Sequence, residues 1–127
     1  MKRLHEGSHL IHYGQVALWD HEDRRSYPAQ FGPFPWIGPK GVVVGAASDG
    51  EIAVEVYGGA AGEAPPAGLP PLRVTCRIAV GGDGVEVGNV TTASTARVAW
   101  PPGLTEVAVH AGGDAAARVV FVLRAPA

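Results

Sequence analysis

The sequence predicts an all-β protein, a single-domain antiparallel β-sandwich of about eight short strands over residues 1–127. The 18 glycines and 11 prolines disfavour long helices, because both residue types destabilise a helix interior. Short segments rich in β-branched residues recur at regular spacing between turn residues, as in sandwiches. In Leu72 to Val80, apolar residues occupy every second position, which indicates a strand buried on one face.

The N-terminal third combines a strand with an irregular segment. Residues 1–7 are polar and predict a flexible lead-in. Residues 8–19 are rich in β-branched and aromatic residues and predict one long first strand, in which Gly14 marks a bulge. Residues 26–40 contain four prolines, which exclude a helix interior and a central strand and predict an ordered loop.

The middle of the chain predicts a hairpin and a long surface loop. Strand-like residues 41–47 and 51–57 flank the turn sequence Ser48-Asp49-Gly50, where glycine can supply the positive φ that a hairpin needs. In the second arm, we expect Glu51 and Glu55 to face solvent. Residues 58–71 are a tract of glycine, alanine and proline that predicts a Gly/Ala/Pro surface loop, the most mobile part of the molecule.

The C-terminal third predicts more short strands joined by glycine turns. The sequence Gly81-Gly82-Asp83-Gly84 lies between two strand-like segments and predicts a second hairpin turn. Residues 119–123 are apolar on both faces, which is typical of a central strand covered on both sides.

Composition excludes several function classes. The net charge of -2 and the charged fraction of 17% provide no basic surface for nucleic acid. Cys76 is the only cysteine, so no internal disulfide can form, and its position in an alternating strand predicts a small hydrophobic residue. No apolar run is long enough for a signal peptide or a membrane span, and we expect a cytoplasmic protein without a membrane partner.

No catalytic or cofactor-binding motif is present. The sequence lacks a nucleophile elbow, a phosphate-binding loop and zinc-ligand spacing, so we expect a non-enzymatic protein without a cofactor. Aromatic residues are the better candidates for function, because exposed Trp and Tyr form interface hot spots. These aromatics are Phe31, Phe34, Trp36, Tyr13 and Trp19. The alternative is that they close one end of the core.

The placement of these aromatics beside a charged segment predicts a surface that binds another protein. We expect apolar anchors from the loop and the first strand, with a polar rim from the charged residues that follow that strand. The predicted partner-binding residues are Trp36, Phe34, Trp19, Asp20, Glu22, Asp23 and Arg24.

Two other functions stay open. His9, His12 and His21 lie near acidic residues and could hold a metal ion or a small ligand, although solvated histidines fit their irregular spacing better. Edge strands could also pair between copies and form a self-assembling structural protein. The sequence does not specify an oligomeric state.

The order of segments in this chain carries a resemblance to a known family. The segments are Ile11 to Val16, Gly41 to Val56, Leu72 to Val80, Gly84 to Val87, Ala96 to Gly103 and Arg118 to Leu123. Their layout resembles the competence protein J family, small bacterial proteins whose named member inhibits a DNA-entry nuclease. The resemblance covers most of the chain and implies a β-sandwich that acts as a nuclease-inhibitor or immunity-type protein, with a nuclease or toxin as partner. It transfers no functional residue by motif.

Overall fold

Valine and isoleucine recur at alternate positions of the long strands, which gives each strand one apolar face. In the computed structural model of the chain, these faces pack between two five-stranded sheets. The structure describes residues 1–23, 25, 27–28, 30, 32–47 and 50–126. Sheet 1 contains, in spatial order, β1 Lys2–Ile11, β5 Gly50–Gly59, β10 Arg118–Arg124, β9 Gly103–Ala111 and β6 Leu72–Val80. Sheet 2 contains β3 Trp36–Gly38, β4 Gly41–Gly45, β2 Gln15–Asp20, β7 Val85–Asn89 and β8 Ser94–Val98.

The predicted all-β sandwich is confirmed. The described residues include no helix that is long and apolar enough to cross a membrane. Strand pairs are antiparallel except for β5 and β10, which run parallel with Val54 opposite Val119. The strand β10 lies between β5 and β9 in the middle of sheet 1, so the prediction of a central strand is confirmed. Its Phe121 is fully buried between the sheets, while Val120 and Val122 are buried on the outer face of sheet 1.

The strand β6 shows the predicted alternation at an edge of sheet 1. Ile78 and Val80 are buried between the sheets, and the intervening Ala79 is exposed. Cys76 packs against the same core, and burial raises the pKa of its thiol. The thiol is therefore neutral at physiological pH, consistent with an apolar packing role.

The chain passes between the two sheets at four connections, which corrects the predicted hairpins. The strands β4 and β5 lie in different sheets, as do β6 and β7, so neither residues 48–50 nor residues 81–84 close a hairpin. Ser48 and Asp49 lie outside the described residues. Turn residues reverse the chain in both situations, so local sequence does not distinguish a hairpin from a turn between sheets.

The N-terminal segment contains two strands in place of the single predicted one. The turn between β1 and β2 has positive φ at Tyr13 (58°) and Gly14 (64°), and the two strands belong to opposite sheets. Gly14 therefore lies in a turn between the two sheets, and the predicted bulge is wrong. Residues 2–7, expected to be a lead-in, form the first part of β1 and pair with β5.

The glycine, alanine and proline segment lies across the outer face of sheet 1. Leu69 packs against the outer-face cluster of Ala108, Val120 and Val122, and the Gly68 carbonyl accepts a hydrogen bond of 3.0 Å from Arg118 Nη1. The carbonyl oxygen of Glu63 accepts another hydrogen bond, of 3.0 Å, from Arg124 Nε. The segment is a surface loop attached to the sheet by these contacts, and its greater mobility stays a prediction.

Glu55 is buried on this outer face, so the prediction that it faces solvent is wrong. Its side chain accepts hydrogen bonds from Arg118 Nε at 2.6 Å, from Arg118 Nη2 at 3.2 Å and from the Tyr57 hydroxyl at 3.1 Å. The hydrogen bonds from Arg118 hold the pKa of the Glu55 carboxyl below its ordinary value, although burial opposes this effect. The burial of Glu55 thus depends on the guanidinium group of Arg118, which lies 63 residues away in the sequence.

We expect the Glu55→Gln variant to lose part of the acid sensitivity of folding. Because the folded-state pKa of Glu55 is lowered, its stabilising effect is complete above the ordinary value of 4.5 and decreases as the pH falls through the lowered value. The free energy of unfolding, measured by urea titration between about pH 3 and pH 7, should therefore change less with pH in this variant than in the wild type. The exposed Glu51→Gln is the control and should follow the wild-type curve; an identical acid response in all three proteins would contradict the assignment.

Candidate partner-binding surface

The outer face of sheet 2 carries a small aromatic cluster. Along β2, Val16 and Leu18 face the core between the sheets, and the alternation therefore directs Ala17 and Trp19 to the outer face. Residues of the proline-rich segment pack over this face. They are Tyr27, Phe34 and Trp36, which contact the cluster of Ala17, Trp19 and Val43.

Ring contacts fix the aromatic side chains of this cluster. Trp19 and Tyr27 pack edge to face with centroids 5.4 Å apart, and Phe34 and Trp36 lie at 4.7 Å. Trp19 is only 6% exposed, so it supports this surface from below and offers a partner little of the surface that an anchor needs. Phe34 and Trp36 are half-buried and keep part of their surface exposed. Phe31 lies outside the described residues.

Two open clefts lie side by side on this face, and we call them together the outer-face groove. The first has a volume of about 530 Å³ and is lined by Trp19, His21, Tyr27, Glu86, Val90, Ala93 and Thr95. The second has a volume of about 450 Å³ and is lined by Gln15, Tyr27, Gln30, Gly32, Trp36, Val90 and Thr91. Tyr27 and Val90 line both clefts and stand between them.

The two clefts differ in polarity. In the first, His21 Nδ1 is hydrogen-bonded to Glu86 Oε1, which leaves the other ring nitrogen of His21 able to bind a partner group. The second has no charged residue among its lining residues. At their boundary, the Tyr27 hydroxyl donates to Gln15 Oε1 at 2.7 Å, and burial raises the pKa of Tyr27 to about 12, so the hydroxyl stays protonated. The groove thus combines a polar end with an apolar end.

Two acidic residues of the predicted polar rim hold the backbone. Asp20 is 2% exposed and accepts a hydrogen bond of 3.1 Å from Gly81 N, while Glu22 Oε2 accepts one of 3.1 Å from Gly82 N. These bonds attach the end of β2 to the connection between β6 and β7. Asp20 is therefore too buried to act as a rim residue, whereas Glu22 is exposed and Asp23 half-exposed. Arg24 lies outside the described residues.

The structure does not bring His9, His12 and His21 together. His9 Nε2 lies 2.9 Å from His5 Nε2, and His9 Nδ1 lies 2.9 Å from the carbonyl oxygen of Ser94. Because a carbonyl oxygen only accepts, His9 Nδ1 carries a proton and, in the neutral pair, His5 donates to His9. His12 is exposed in the turn and His21 lines the first cleft. Across the part of the chain that the structure describes, no three His, Cys, Asp or Glu side chains are grouped to hold a metal ion.

Asn89 is the main residue that sequence reasoning missed. It is fully buried, and its Nδ2 donates to the carbonyl oxygens of His12 at 2.9 Å and Gln15 at 2.8 Å. Its Oδ1 accepts from Thr91 Oγ1 at 2.7 Å and from Thr92 N at 3.0 Å. One amide thereby joins the turn after β1 to the loop after β7, and both border the groove. In the sequence, Asn89 lies near the end of a strand-like segment and carries no signal of this role.

We expect Asn89→Ala to lower the free energy of unfolding by about 2 to 3 kcal/mol, since it removes the hydrogen-bond donor to two carbonyl groups from a buried position. The matched control is Gln30→Ala, which removes an amide donor to the carbonyl of Ile37 at an exposed position and should cost less than about 0.5 kcal/mol. Urea denaturation of both variants measures the difference. Equal losses would mean that Asn89 does not hold the two loops together.

Comparison with known proteins identifies the fold. No protein-family model and no curated protein sequence matches this chain. A solved structure does match, the crystal structure of ComJ from Bacillus subtilis, an inhibitor of the DNA-degrading activity of NucA, with a TM-score of 0.71 over 98% of both chains and 10% sequence identity. The chain therefore has the fold of ComJ, and the resemblance seen in the order of its segments is confirmed.

Proposed function

We propose that this protein is a non-enzymatic inhibitor or immunity-type protein that binds a protein partner through the outer-face groove. The observation that carries the proposal is the match to ComJ, which extends over 98% of both chains with a TM-score of 0.71. A nuclease is the partner class that this match favours.

The groove has the chemical character of a protein-binding surface. Interfaces are commonly centred on aromatic side chains that lie among polar groups able to form hydrogen bonds. Here Trp36 and Phe34 are half-buried beside an uncharged cleft, and Val90 is 46% exposed between the two clefts. Glu22 and Asp23 form the polar rim in this proposal, and Trp19 supports the surface from below. A role of Arg24 in partner binding stays a prediction from the sequence.

The charge of the protein favours apolar recognition over imitation of DNA. A protein that imitates DNA needs a dense array of acidic groups, whereas this chain has a net charge of -2. The contact that we propose is dominated by aromatic and aliphatic side chains, so its affinity should depend only weakly on salt. The inhibitor would then block the partner by covering its surface.

We expect the protein to capture one partner from a lysate of the source organism and to suppress DNA degradation by that partner once it is identified and purified. Trp36→Ala and Val90→Asp should each weaken this capture, because the first removes an aromatic anchor and the second places a charge between the clefts. The control is Leu104→Asp, which introduces the same charge at a residue that is 48% exposed in sheet 1. Melting temperatures verify that all variants are folded.

Three results would count against the proposal. Equal capture by all variants would place the interface elsewhere. Capture of a partner with no effect on its activity would exclude inhibition. A well-folded protein that captures no partner at all would overturn the function itself.

A further inference from the structure

A tyrosine stands at the tip of the turn between β1 and β2. Tyr13 is 75% exposed, and its φ of 58° is in the left-handed region that disfavours residues with a β-carbon. Among the described residues, Tyr13 and Ala93 are the non-glycine residues with positive φ. Ala93 lies in the loop that Asn89 joins to this turn. Both backbone outliers therefore occur at the same end of the sandwich.

The backbone beneath Tyr13 is held at several points. Asn89 Nδ2 binds the carbonyl groups of His12 and Gln15 on either side of the tip, and the Gly14 carbonyl accepts a hydrogen bond of 2.9 Å from Ala46 N. The nearest ring contact of Tyr13 is with the adjacent His12, at 6.4 Å between centroids. The tyrosine ring is thus presented to solvent on a fixed backbone, which reduces the entropy that binding would cost.

The fold itself gains little from tyrosine at this position. Asn followed by Gly is the preferred pair where two successive residues have positive φ, and asparagine would also expose less apolar surface. In the isolated protein, Tyr13 is therefore disfavoured both by its backbone conformation and by the apolar surface that it exposes. Strained residues of this kind concentrate at binding sites, where the contact formed by the side chain offsets the cost.

The surroundings of Tyr13 indicate the chemistry of what it contacts. Gln15, on the β2 side of the turn, and the loop residues Val90 and Thr91 have uncharged side chains, so they offer no cation to the phosphate groups of nucleic acid or lipid. A protruding ring requires a concave surface in its partner, which a protein provides. Gln15, Val90 and Thr91 also line the uncharged cleft, so Tyr13 lies next to the outer-face groove.

We propose that Tyr13 inserts into an apolar pocket of the protein partner and is the hot spot of the complex, with the uncharged cleft beside it receiving neighbouring side chains. This inference rests on the proposed function, because it concerns the same partner. To the proposed function it adds two points: Tyr13 contributes most to the affinity, and the partner surface that receives it is an apolar pocket.

The test is a calorimetric titration of the identified partner against the wild type, Tyr13→Asn, Tyr13→Phe and the control Leu72→Asn. Tyr13→Asn should melt at or above the wild-type temperature, because asparagine suits the turn, while its Kd rises at least about tenfold. Tyr13→Phe keeps the ring and should bind within about threefold of the wild type. Leu72 is 59% exposed on β6, and its substitution should leave the Kd unchanged.

Different failures have different meanings. If Tyr13→Asn binds as tightly as the wild type while Trp36→Ala does not, the assignment of Tyr13 as the hot spot is overturned and the proposed function remains. A lower melting temperature for Tyr13→Asn would show that the tyrosine serves the fold and would also overturn the inference. If the wild-type protein binds no partner, both proposals fail together.

Discussion

Apolar contact between the inner faces of the two sheets is the interaction on which the rest of the structure depends. Valine supplies most of these faces, and each buried valine contributes about 1.5 kcal/mol or more. In the described part of the chain, Phe121 is the one aromatic residue that is fully buried between the sheets. Small aliphatic side chains fill this core, so most of the large aromatics are available to other surfaces. Trp19, Tyr27 and Trp36 accordingly form a second layer outside sheet 2.

Polar side chains fix the ends of the sandwich, where the chain passes from one sheet to the other. Asn89 holds the turn after β1, and Asp20 and Glu22 hold the connection after β6. Each residue binds backbone groups that the sheets leave unpaired, since buried amides and carbonyls require partners. The outer-face groove lies between these two points, so its shape depends on buried hydrogen bonds as much as on its own aromatic residues.

The sequence predicted the positions of strands better than it predicted which strands pair with each other. Alternation located β6, and a run that is apolar on both faces placed β10 at the centre of a sheet, because both patterns follow from local burial. Turn residues around positions 48 and 82 indicated chain reversal but not which sheet the next strand joins. The proline-rich segment with its aromatic residues could be recognised in the sequence, but the burial of Trp19 could not, because it depends on Tyr27 packing over it. Asn89 could not be recognised, because its four hydrogen bonds lead to residues on two different loops.

The position of β10 has a consequence for synthesis of the chain. This strand follows all the others in the sequence and yet separates β5 from β9 in sheet 1. During translation, β1 can pair with β5 and β6 can pair with β9, but the two halves share no strand edge until β10 is inserted. Its parallel pairing with β5 closes a loop of about sixty residues, a slow step for a folding chain. The facing edges of β5 and β9 therefore stay unpaired until β10 has been synthesised, and during that time they are exposed to pairing with other chains.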